Sequence, residues 1–125
     1  MALLDWEMFL ERVERNEKLA LELAHDLILC LDGRIETLGY AISQAEIKKV
    51  EQAAHALRGL VAPYGGRELL VILKEIEEKA RGGVVDFTAL PLEIGKMAMA
   101  LKDEVESKIS SIERVIPHQR GHFLS

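Results

Sequence analysis

The sequence is short of several things, and each shortage excludes something. Aromatic residues make up only 5% of its 125 positions, so a core has to be built from Leu, Ile, Val, Ala and Met. The single cysteine, Cys30, permits no internal disulfide. Set in the apolar run LILCL, it reads as core packing rather than as a reactive thiol. No run approaches the ~18 apolar residues of a membrane span. The opening MALLDWE has neither the basic nor the long apolar segment of a secretory signal, so the expected compartment is the cytoplasm. Lys and Arg number 16 against 21 Asp and Glu, a net charge of −5, which argues against a nucleic-acid binder. There is no Walker-type glycine loop and no carboxylate pair marked out as general acid and base. No stretch alternates convincingly as a strand, and no segment repeats.

What is present is helical periodicity in a chain that is 49% hydrophobic and 30% charged, long enough for one domain with one core. The spacing predicts a short helix over 5–13 with Asp5 as N-cap. A long helix follows over 16–43, with a stripe through Ala20, Leu23, Leu27, Leu31, Ile35, Leu38 and Ile42. Asp32-Gly33 and Gly39 leave room for a kink in it. A third helix over 45–62 stops at Pro63, and Tyr64-Gly65-Gly66 forms a turn. A fourth runs over 67–81 to Gly82-Gly83, and a fifth starts near Thr88, tolerates Pro91 in its first turn and reaches about Val115. Four long amphipathic helices with short connections predict an all-α fold, an antiparallel four-helix bundle with a short extra N-terminal helix. The bundle takes residues 1–116, and 117–125 form a frayed tail.

Within the third helix, the segment AAHALRGLVAPYGG (residues 53–66) carries a histidine among small residues. On a helical wheel Ile47, Val50, Ala54, Leu57 and Val61 make the core stripe, and His55 falls roughly 120° from its centre. That is an exposed imidazole, sharing its face with Lys48, Gln52, Gly59 and Ala62. Incidental surface histidines are common, but the company here is particular. Gly59 costs the helix about 1 kcal/mol against alanine, and it clears the surface one turn from the ring. Arg58 offers a cationic fork suited to phosphate oxygens. Together they suit a nucleophile that enters another protein's active site.

Ala54, His55, Ala56, Leu57, Arg58 and Gly59, followed by Gly65 and Leu69, resemble the signature of histidine-containing phosphotransfer (HPt) domains of multistep phosphorelays. That family is an antiparallel four-helix bundle, often with a short helix in front. The resemblance implies that His55 is the phosphorylated residue, that Arg58 stands for the usual lysine, that Gly59 opens the surface and that Gly65 turns between helices. It places Glu77 where the family carries an acceptor for the second imidazole nitrogen, and Arg81 where some members carry a basic residue near the phosphate. The residues themselves leave Glu77 with two readings: an acceptor for Nδ1–H of His55, or a solvated residue paired with Lys74 or Arg81. Leu60, where the family is often small and polar, and Pro63, where its helix commonly continues, depart from the pattern and bear on which partner docks.

The expected function is therefore a phosphoryl carrier without an ATP site or cofactor of its own. Its partners would be a response-regulator receiver domain and, as a further candidate, a hybrid sensor histidine kinase, with no nucleic acid and no membrane. The alternative is a structural or adaptor bundle with a vestigial histidine motif. A kinase dimerisation domain fits less well, since Ala56 rather than an acidic residue follows the histidine. His25, beside Glu22 and Asp26, reads as a surface residue. His118 and His122 are four apart, but Pro117 and Gly121 disfavour the helix that would pair them, so no metal is expected.

Overall fold

The first two helices start at capping residues. In a computed structural model that describes residues 3–84, 86–87 and 90–115, the Asp5 side chain accepts from the Met8 amide (3.1 Å) at the head of α1, Trp6–Arg12. Asn16 accepts from Leu19 (3.0 Å) at the head of α2, Glu17–Ser43. These caps satisfy amides that have no partner inside the helix.

α2 runs unbroken through Gly33 and Gly39, where the sequence left room for a kink. Both glycines are on the solvent side and cost about 1 kcal/mol each. On the opposite side Leu27, Leu31 and Leu38 are fully buried, at roughly 1.5–3 kcal/mol apiece, so packing decides the outcome. Cys30 is exposed, contrary to the expectation of a core position. The helical phase that turns Leu27 and Leu31 inward turns Leu29 and Cys30 outward.

α3 spans Ile47–Val61 and α4 spans Arg67–Arg81. Pro63 has no amide to give the Gly59 carbonyl, and the chain tightens into a 3-10 turn, Ala62–Tyr64, after Val61. Gly65 then takes φ +102, and a Cβ there would stand 2.9 Å from the Leu3 carbonyl oxygen. The second glycine of the motif is thus required by a turn against which the N-terminal segment lies. α5 spans Leu90–Val115 with Pro91 in its first turn. The expected start near Thr88, the tail at 117–125 and the His118/His122 pair lie outside the described residues.

α3 packs on α2 and α4, and α5 closes the ring against α2 and α4. The result is an antiparallel four-helix bundle, with α1 packed on the 3-10 turn and on α2. Three of the scarce aromatics gather at that end. Phe9 lies between Trp6 (5.3 Å) and Tyr64 (4.3 Å), and the Tyr64 hydroxyl donates to the Leu23 carbonyl (2.8 Å). Burial pushes the Tyr64 phenol up to about 12, with Asp26 and Cys30 adding to the effect. Glu104 of α5 accepts from the Leu3 amide (3.0 and 2.9 Å) and the Leu4 amide (3.3 Å), holding the N-terminal segment down.

Candidate functional site

The core stripe of α3 is as the wheel places it: Val50, Ala54, Leu57 and Val61 are buried, with Ile47 packed at its edge. His55 is therefore turned outward, its side chain 73% exposed. One helix away, Leu69, Leu73, Ile76 and Ala80 turn α4 into the same core. Glu77 follows Ile76 around the helix and goes under with them. Its side chain is 5% exposed, and it is the one buried charged residue among the described residues.

A carboxylate taken from water needs partners, and Glu77 has three. His55 Nδ1 lies 3.0 Å from Oε1, Arg58 Nη1 donates to Oε2, and Arg81 Nη2 reaches Oε1 at 3.5 Å. The two readings of Glu77 are both met in part: the imidazole and Arg81 are both partners, but the carboxylate is buried rather than solvated. Arg81 is shared, its Nε lying 3.8 Å from Glu51, a neighbour that no sequence pattern singles out.

Burial on its own would push the Glu77 carboxyl up. The hydrogen bonds and positive charge of Arg58 and His55 more than offset it and hold the group below the usual carboxylate range. Glu77 is thus an ionised, acceptor-only group, and Nδ1 of His55 must carry the proton that joins them. In the neutral ring the lone pair is then on Nε2.

The surface beside the ring is bare. A Cβ on Gly59 would meet nothing within 4 Å, so no contact inside the molecule demands glycine there. A shallow hollow of about 340 Å³ lies between α3 and α4, with His55 and Gly59 on one side and Val71 and Lys74 on the other. Arg58 borders it too, but its guanidinium is engaged by Glu77. His25 is half exposed, with Nε2 3.4 Å from Glu113, and stands apart from this cluster. No group of three His, Cys, Asp or Glu side chains among the described residues is arranged to hold a metal. No helix among them is long and apolar enough to cross a membrane.

The sequence matches no protein-family model and no curated protein. Among solved structures, the chain is similar to histidine-containing phosphotransfer protein B (HptB) from Pseudomonas aeruginosa PAO1, with TM-score 0.80 and 21% identity over 87% of this chain and 96% of that one. It is also similar to the HPT domain of a sensor hybrid histidine kinase from Shewanella, with TM-score 0.73 and 22% identity over 87% and 95%. The match runs over most of both chains, and the chain has the fold of histidine-containing phosphotransfer domains.

Proposed function

We propose that this bundle is a phosphorelay intermediate that carries a phosphoryl group on Nε2 of His55, exchanging it with the aspartate of a receiver domain. The observation that carries the reading is the Glu77–His55 contact: a carboxylate buried with its partners, spent on orienting a ring that is itself exposed. A histidine serving only the fold would share the burial of its partner.

In the forward step the Nε2 lone pair attacks the phosphorus of the aspartyl phosphate. A P–N bond forms, the acyl P–O bond breaks, and the carboxylate of the receiver leaves with the electron pair. The ring keeps its Nδ1 proton and acquires formal positive charge, which faces ionised Glu77. Glu77 therefore stabilises the product ring more than the starting ring, and that difference favours transfer. Return to a second receiver reverses these changes. The chain's own contribution is position and charge, Gly59 leaving room for approach and Arg58 holding Glu77. Such a carrier needs no ATP site and works in the cytoplasm, where receivers and hybrid kinases are its partners.

Incubation with a phosphorylated receiver tests this. An acid-labile phosphate should appear on the wild-type chain and be absent from His55→Gln, which should keep its helix content and lose only the few degrees in melting temperature that one hydrogen bond to Glu77 accounts for. Uptake by His55→Gln, or no uptake by the wild type, would favour an adaptor bundle with an idle motif.

A further inference from the structure

The sequence offers Arg58 as the cation that meets phosphate, yet in the structure its guanidinium is bound to buried Glu77. Swinging it onto a phosphoryl group would strip a buried carboxylate of a main partner. The hollow beside His55 holds two other cations, Lys74 and Arg67. Neither makes an ion pair or hydrogen bond among the described residues. No carboxylate lines this hollow, although the chain as a whole is acidic.

Register distinguishes the two. Lys74 lies one turn before Glu77 on α4, and α3 runs the other way, so Lys74 stands across from the turn that carries Gly59. A side chain at Gly59 would enter the hollow that the ring and Lys74 both line. Arg67, two further turns back, belongs to the far end of the hollow.

We propose, resting on the carrier reading above, that Lys74 is the residue that contacts the phosphoryl group on His55, while Arg58 is a positioning residue that acts through Glu77. A lysine suits this role, because a compact ammonium on a flexible stem follows a group that arrives and departs. In the transfer step it makes and breaks no bond. It meets the negative charge on the three non-bridging oxygens as the P–N bond forms.

The test phosphorylates the full chain with phosphoramidate, a small donor that needs no receiver, and follows the 31P resonance of phosphohistidine with pH. A nearby ammonium favours the dianion, so Lys74→Gln should raise the phosphoryl titration midpoint by roughly half a pH unit or more. Lys74→Arg should restore it, and Arg67→Gln, equal in charge change, should leave it in place. Transfer from a phosphorylated receiver should fall about tenfold in Lys74→Gln alone. If Lys74→Gln titrates like the wild type, or Arg67→Gln shifts as far, the assignment of Lys74 is overturned while the carrier reading stands. If the wild type forms no phosphohistidine with either donor, both are overturned.

Discussion

Two glutamates do related work at different places in this molecule. Glu104 accepts from the amides of Leu3 and Leu4, whereas Glu77 accepts from the side chains of His55 and Arg58. The partners of Glu104 are backbone groups that have no other use, so the contact fixes the fold and is complete. The partners of Glu77 end in solvent-reaching side chains, one of which keeps a free lone pair. A carboxylate satisfied by backbone holds a segment; on the proposed carrier reading, one satisfied by an exposed imidazole orients a reagent.

Substitution should separate the pair. Glu77→Ala should slow phosphotransfer by roughly 10–100-fold, the order of loss found when a carboxylate orienting a metal-binding histidine is removed. Affinity for an unphosphorylated receiver should be nearly unchanged. Glu104→Ala should lower unfolding free energy by about 1–3 kcal/mol through two unsatisfied amides and leave transfer unchanged. Denaturant melts and rapid-quench transfer assays read both, and equal transfer in the two variants would erase the distinction.

Acid should sharpen it. The Glu77 carboxyl is lower in the folded protein than in the unfolded chain. Its stabilisation is fully present above the ordinary carboxylate range near 4.3 and is lost as pH falls through the lowered folded value. Melting temperature should therefore decline below that range in the wild type and less steeply in Glu77→Gln. Gly59→Ala should then raise stability by up to about 1 kcal/mol, since its methyl group meets open space. Gly59→Gln, which reaches into the hollow, should slow transfer. The smallest effect falls at the far end: Tyr64→Phe should cost about 1 kcal/mol for one hydrogen bond. It should also remove a loss of stability between pH 10 and 12, where a phenol raised to about 12 by burial stays protonated folded but ionises unfolded.

The sequence shows α4 almost to the residue, because glycines bracket an apolar stripe of strict period. It shows the outward turn of His55 for the same reason: the stripe of α3 fixes the phase. It misplaces Cys30, since an apolar run such as LILCL is read as uniformly inside when only two of its leucines are in phase with the core. It leaves Glu77 ambiguous, because a carboxylate at the edge of an amphipathic face is ordinarily wet. Only the approach of α3, with an arginine and a histidine at matching height, closes the site over it. Glu104 stands in the charge-rich run KDEVESK, and no local pattern separates it from its neighbours. Its partners are a hundred residues away in the chain.

The strip at Leu3–Asp5 has a geometric consequence. The Gly66 amide donates to the Leu3 carbonyl (2.7 Å), and the Asp5 amide donates to the Tyr64 carbonyl (2.8 Å). The place where the chain joins the bundle is thereby tethered to the α3–α4 turn, about 15 Å along the bundle axis from His55 at 1.5 Å per helical residue. Leu4 and Arg67 line one hollow there, so on the carrier reading a label attached to this strip would sit on the Arg67 side of His55, where it would report a receiver that docks on the ring. Placed there, a dye becomes a proximity gauge for partner arrival, and a bulky module becomes a steric brake on exchange.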